Sequence, residues 1–416
     1  MFSTNSDEAS RRSLRSIEWL NFFLADVQTG LGPFLAACLA ASGWGPARVG
    51  YALTLGGLVT VVMQTPAGAA VDAVHRKRLL VALNLGVLVL ASFLLMGHLT
   101  APAVYAAQVL IGGAAPFLGP AVAAITLGLI GAKAFDRQFG RNQAFNAAGN
   151  VCTALLAAYV SYRFGVRAIF AVAAAMIVPA LLSLAAIDGR KIDYAAARGA
   201  LDGQTKLRTE GLHDLIKDRV LFRFFVAALL FHLANAAMLP QLGEMLARNK
   251  PRDAAPFMSA CIIVTQLVIA FSAGWLGKRA AIAGRKPLLL FGFGVLPVRG
   301  ALYTLTSSTG VLVAIQILDG VANAIFGVVS ILVVKDRTHG TGRFNLAAGA
   351  LATMVGIGAA LSTTVGGVLI QRLGFRASFL GLAAIALGAV AVLAATIPET
   401  LPGHTPAKTT AFETAT

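Results

Sequence analysis

Residues 68–78 read GAAVDAVHRKR and residues 277–286 read GKRAAIAGRK. Each stretch closes one long apolar run and opens another, so each is a short basic turn between two apolar segments. Asp72-Ala-Val-His-Arg-Lys in the first and Ala281-Ile-Ala-Gly-Arg-Lys in the second stand 209 residues apart. Two further matches keep that spacing to within one residue. QVLIGGAA from Gln108 answers QILDGVAN from Gln316 at an offset of 208, and RFGVRAIF from Arg163 returns as RLGFRASF from Arg372 at 209. In a chain so rich in Ala and Gly one match means little, but three in order at one offset point to a duplicated half.

Composition sets the solvent of both halves. With 57% hydrophobic and 12% charged residues in 416, the chain has too few charges to cover a water-soluble surface. Runs long enough to cross roughly 30 Å of hydrocarbon fall near 17–41, 47–71, 79–98, 101–131, 143–163 and 166–187, then near 220–246, 254–281, 287–306, 310–334, 344–370 and 375–397. The expected fold class is therefore an all-α integral membrane protein of twelve transmembrane helices in two pseudo-symmetric six-helix bundles. Its divisions are a tail 1–16, a first bundle 17–187, a polar linker 188–219, a second bundle 220–397 and a tail 398–416.

The net charge of +16 lies between the apolar runs and not along a polar face, which speaks for membrane orientation and against a nucleic-acid partner. Arg11, Arg12, Arg15, Arg76, Lys77, Arg78, Lys133, Arg137, Arg141, the linker cations, Lys278, Arg279, Arg285, Lys286, Lys335 and Arg337 collect on one side. That side, with the linker and both termini, is expected to be cytoplasmic, in a bacterial plasma membrane. Cys38, Cys152 and Cys261 are odd in number and far apart, as packing residues are and disulfide or metal frameworks are not. There is no H-E-x-x-H, no G-x-S-x-G and no G-x-x-x-x-G-K-[ST], so neither hydrolysis nor nucleotide-fuelled transport is expected, and no cofactor.

A six-plus-six parallel repeat suits two bundles rocking about a midplane site. Over essentially its whole length the chain resembles the major facilitator superfamily, and Gly68 to Arg78 resembles that family's G-x-x-x-D-x-x-G-R-[RK] signature. His75 stands where the signature has Gly, and Ala73 where a basic residue is usual. The second copy has Ala281 in place of the Asp. The resemblance implies a cytoplasmic latch between the halves, built by Gly68, Asp72, Arg76 and Lys77 with Gly284, Arg285 and Lys286. Physically, a carboxylate at a helix end beside three cations can make charge-assisted bonds that exist in one packing of the halves and break in the other. A role of Arg76, Lys77 and Arg78 in topology alone stands beside it.

The resemblance also implies that spans one, four, seven and ten line the cavity. Most of the polar residues at membrane depth fall on these spans: Asp26 and Gln28, Gln108, Asn235, then Gln316, Asp319 and Asn323. Asn146 and Asn150 add a pair four apart in span five. For each asparagine, substrate contact stands beside interhelical hydrogen bonding. His232 reads as packed or as a proton carrier. Arg299 and Asp319 lie at similar depths in spans nine and ten, and an unpaired charge there is expensive, so an ion pair is expected. Asp26 lies nine residues into span one, about 13 Å deep, and the repeat offset carries it onto Asn235. Proton coupling by Asp26 is the first expectation; beside it stands a purely structural role, protonated or hydrogen-bonded to Gln28 or Asn235 and holding span one in place.

Drug-exporter signatures are incomplete: Gln108, Ile111 and Gly112 occupy the places of R-x-x-Q-G without its arginine, and span five lacks a glycine-proline pair. A secondary transporter working by alternating access is expected, as a monomer, with the lipid bilayer, a small-molecule substrate and protons as partners. Proton-coupled export of amphiphilic or cationic compounds is the first reading. Proton-linked uptake of a small nutrient or metallophore-like compound is the second.

Overall fold

Lipid offers no partner for a free backbone N–H or C=O, so apolar runs of this length must satisfy their own backbone as helices. A computed structural model of the chain describes residues 3–29, 46–97, 99–164, 167–199, 217–249 and 251–401, with Leu35, Cys38, Leu39, Ser42 and Trp44. The first half holds α1 (Ser3–Thr29), α2 (Pro46–Ala73), α3 (Lys77–Met96), α4 (Ala101–Phe164) and α5 (Ala168–Ala185). The second half holds α6 (Arg219–Asn235), α7 (Met238–Asn249), α8 (Pro251–Ala283), α9 (Lys286–Leu302), α10 (Thr309–Thr338) and α11 (Phe344–Thr396). Asp218 caps α6, accepting from Val220 N at 3.0 Å and Leu221 N at 3.1 Å, which satisfies two of its open backbone donors.

Eight helical stretches among the described residues are long and apolar enough to cross a membrane. Two of them, 56 and 53 residues long, are more than twice the roughly 20 residues one crossing needs. Each bends at a glycine with left-handed backbone, Gly131 (φ 67°) in α4 and Gly374 (φ 84°) in α11, where a side chain would be strained. Helix thus continues through 132–142, which the apolar count leaves between spans four and five. Hydropathy measures what lies in lipid, and Ala132 to Asn142 form a helix that carries Lys133, Arg137 and Arg141. The expected span 220–246 is matched by one apolar stretch, Arg219–Leu246, in which a turn at Ala236 and Ala237 separates α6 from α7.

Large apolar side chains such as Leu83, Phe271 and Phe291 are exposed on the outside, as a lipid-facing surface requires. Inside, one apolar cluster belongs to the first half, around Leu20, Leu85, Leu118 and Ile177. The largest cluster belongs to the second half and takes in Phe135 and Phe139 of α4. The halves touch chiefly where α2 meets α11 and where α4 meets α8. The start of the linker lies over this junction. Asp193 N donates to Gly128 O of the first half at 2.9 Å, while Gly340 N of the second half donates to Gly199 O at 2.5 Å. We call this side of the molecule the linker face.

Candidate transport site and the contact that closes the linker face

Two glycine pairs let the halves approach. A Cβ on Gly68 of α2 would strike Asn345 O and lie 3.2 Å from Gly349 Cα of α11. A Cβ on Gly277 of α8 would lie 2.5 Å from Asp136 O and 3.1 Å from Gly140 Cα of α4. The pairs are related by the repeat: 68 and 277, 140 and 349, and 136 and 345 each differ by 209. One backbone contact is therefore made twice.

The side chains around the two copies differ. In the first, Asp72 accepts from Asn345 Nδ2 at 2.7 Å, Asn345 N at 3.3 Å and Leu346 N at 2.7 Å. A carboxylate of one half thus sits on the N-terminus of α11 in the other, where open N–H groups and the helix dipole favour negative charge. Asn345 Nδ2 also donates to Ala197 O of the linker at 3.1 Å, and Thr65 and Thr353 hydroxyls bond across the halves at 2.8 Å.

In the second copy the cation is the visitor. Arg285, 1% exposed, donates to Asp136 Oδ2 of the first half at 2.5 Å and to Asp336 Oδ2 at 2.9 Å. Lys335 bonds the other oxygen of Asp136. Burial alone would lower the Arg285 pKa, but the Asp336 and Asp136 carboxylates outweigh it and the net shift is upward. Gly284 is left-handed (φ 90°), and Arg285 N and Lys286 N donate to the Glu399 carboxylate at 2.8 and 3.0 Å. Burial would raise the Glu399 pKa, yet these N–H groups, with those of Thr400 and Leu401, bring it below the ordinary glutamate value.

The other loop cations cap helix ends within their own half. Lys77 donates to Val71 O at 2.5 Å and Val74 O at 3.2 Å, as Arg285 does to Ala280 O at 2.6 Å. Arg78 donates to Leu184 O and Ala185 O at 3.3 and 3.0 Å, and Lys286 to Ala394 O at 2.8 Å. By role, Lys77 matches Arg285 and Arg78 matches Lys286, one place along from the sequence pairing. Arg76 is exposed.

Behind this contact, between the halves, is a cavity of about 300 Å³. Its first-half wall carries amides: Asn21 of α1, Gln64 of α2, and Asn142 and Gln143 of α4. Its second-half wall is apolar or bare: Gly327 and Ile331 of α10 with Ala348, Gly349 and Ala352 of α11. Pro116, Gly119 and Pro120 of α4 also line it.

The second half uses its own buried polar groups internally. Arg299, 1% exposed, bonds Asp319 through Nη1 and donates from Nη2 to Asn235 Oδ1 at 2.6 Å. Thr265 donates to Asp319 Oδ2 at 3.1 Å, Asn323 to Asp319 Oδ1 at 2.9 Å, and Asn235 to Asn323 Oδ1 at 3.3 Å. Gln316 donates to the Tyr303 hydroxyl at 2.7 Å. The stripe of Gln316, Asp319 and Asn323 is thus tied to α6, α8 and α9, and none of the three lines the cavity. His232 meets Phe326 edge to face, with ring centres 4.7 Å apart.

In the first half Gln108 donates to Ala52 O at 2.9 Å, joining α4 to α2, and Asn146 donates to Asn21 O at 3.2 Å, joining α4 to α1. Asn150 donates to Asn146 Oδ1 at 3.4 Å. Asp26 and Gln28 lie on the α1 backbone, and their side chains fall outside the described residues. Sequence reading passed over Asp136, Asp336, Asn345, Gln64 and Gln143. The repeat offset was the available signal for the first and third, since Asp136 and Asn345 are a repeat pair.

The chain matches the family model of the Major Facilitator Superfamily over residues 19–296 and 239–414. Two Mycobacterium tuberculosis proteins, each named an uncharacterized MFS-type transporter, are 40% identical over 394 residues, 94% of this chain and of theirs. Among solved structures, the human organic anion transporter MFSD10 (TETRAN) superposes with a TM-score of 0.70 at 16% identity over 92% of this chain and 99% of its own. FucP, solved in the outward conformation, does so at 0.74 and 13% over 93% and 99%. The duplicated helical halves and the whole-length family match give one conclusion: the chain belongs to the major facilitator superfamily and is a multi-pass membrane protein, a secondary transporter of small molecules.

Proposed function

We propose that the protein is a proton-coupled exporter of amphiphilic small molecules, acting as a monomer in the bacterial plasma membrane, with the linker face and both termini cytoplasmic. One observation carries this reading: a cavity between the halves, largely apolar with its amides confined to the first-half wall, lies behind a closed linker face. A polar edge with an apolar body complements such a cavity. No described lining residue is acidic, which favours amphiphilic cargo over cationic cargo.

In this reading the glycine pairs, Asp72 on α11 and Arg285 on Asp136 form a gate that shuts the cytoplasmic side after cargo has entered. Alternating access requires the contacts to break together when the halves rock back. Asp26 on α1 serves as the proton site, since a carboxylate at membrane depth can take a proton from one side and release it to the other. Everted vesicles test this directly. Wild type should accumulate a fluorescent amphiphile when the interior is acidified and lose it to a protonophore. Asp26→Asn should keep exchange down a gradient and lose the proton-driven component. Full proton-driven accumulation by that variant removes Asp26 from the coupling role, and protonophore-resistant accumulation removes the coupling itself.

A further inference from the structure

Gln64 Oε1 is buried and has no hydrogen-bond partner among the described residues, in a cavity wall where the neighbouring amides are engaged. Asn142 donates to Thr126 at 3.0 Å and accepts from Gln138 at 3.1 Å, and Asn21 donates to Ile17 O at 2.8 Å. Gln143, across the same space on α4, also takes part in no hydrogen bond among the described residues. Leaving a covered amide oxygen unpaired costs about 1–3 kcal/mol, so the Gln64 amide gains by turning toward a donor that arrives with the cargo. The charges of this region lie elsewhere: Glu18 is held by Arg141 and Gln138, both at 2.9 Å, and Asp136 by Arg285 and Lys335. The repeat partner of Gln143 is Ala352, on the opposite, apolar wall.

Resting on the transport reading above, we infer that Gln64 and Gln143 are the substrate-recognising pair, and that the cargo is uncharged: it presents an N–H or O–H donor to Gln64 Oε1, a polar edge to Gln143, and an apolar body to the α10 and α11 wall. An ammonium or carboxylate head would leave water for a wall with no described counter-charge. A site built on such polar contacts rejects analogues that lack them far more strongly than a purely apolar pocket does. Asp26 lies five residues beyond Asn21 on α1, so a cationic cargo would instead assign that carboxylate to substrate.

The test uses three probes with one body and three heads, 4-phenylbutanamide, 4-phenylbutylammonium and 4-phenylbutyrate, added to the purified full-length protein in detergent while its thermal unfolding is followed. The carboxamide should raise the unfolding temperature in a saturable way, and the charged members should not. Gln64→Leu and Gln143→Leu should each weaken its apparent Kd by about tenfold or more, with no loss of unfolding temperature in the unliganded variants, because a similar-sized apolar side chain replaces an amide with no partner. No shift with the carboxamide, a larger shift with the ammonium or carboxylate, or a shift that survives both substitutions overturns the inference. Carboxamide binding without proton-driven transport would strike the coupling proposal alone, and proton-driven transport of the ammonium probe would strike this inference alone.

Discussion

At the linker face the two halves make the same backbone contact with opposite chemistry. Gly68 on Gly349 and Gly277 on Gly140 are one geometry repeated. Yet the first copy is sealed by a carboxylate on a helix N-terminus, and the second by a buried guanidinium between two carboxylates. The cavity walls differ in the same spirit, with four amides on the first half and only Gly, Ala and Ile on the second. Duplication fixed where the backbones approach, and later substitution divided the work. Ala281 and Asn345 each stand where the repeat partner, Asp72 or Asp136, is acidic.

If the second half is the rigid, charge-locked partner, breaking its lock should cost most. Arg299→Met leaves the buried Asp319 carboxylate without its counter-charge, held only by Thr265 and Asn323, and should destabilise the protein by about 3–5 kcal/mol. Arg299→Met with Asp319→Leu should recover most of that loss in chemical unfolding from mixed micelles; additive losses would show that the pair does not act as a unit. Next comes Arg285→Gln, which leaves Asp136 and Asp336 facing each other with only Lys335 between. A loss of about 3 kcal/mol is expected, with faster labelling of cysteines placed beneath the contact. Unchanged labelling would reduce Arg285 to a stabilising residue.

The first-half seal is weaker by design of its parts. Asp72→Asn keeps an acceptor but removes the charge from the α11 N-terminus, so about 1 kcal/mol is expected. The smallest effect is at Glu399. Its folded pKa is depressed, so its contribution is present above the ordinary glutamate range and is lost as pH falls through the folded value. Glu399→Gln should cost under about 1 kcal/mol at neutral pH, and the difference from wild type should vanish in acid. A difference that grows in acid would contradict the assignment.

The helices and the duplication are legible in the sequence because lipid imposes length and the repeat imposes an offset. Helix limits are less so: 132–142 is polar yet helical, since charge decides where lipid ends and not where a helix does. Residues at membrane depth are also legible, as is the Arg299–Asp319 pair, but not the rest of their partners. The order of α6 to α10 around Arg299 turns Asn235, Asp319 and Asn323 into one closed network, and no spacing within one helix encodes that. Asp72 illustrates the same limit. Its neighbours in sequence are three cations, but its hydrogen-bond partners lie 273 and 274 residues away. Gln64 could not be singled out, because what marks it is the absence of a partner in three dimensions.

The central claim is that the two repeat-related contacts form one gate. Spin labels at exposed His75 and Thr341 flank the first contact, and labels at exposed Arg137 and Lys278 flank the second. With Cys38, Cys152 and Cys261 replaced, pulsed electron resonance reads both distances in lipid nanodiscs. The account predicts that Asp72→Asn adds a longer-distance population at both pairs in equal proportion, although Asp72 touches only the first. A second pair that stays short while the first lengthens would contradict it, since the contacts would then open independently.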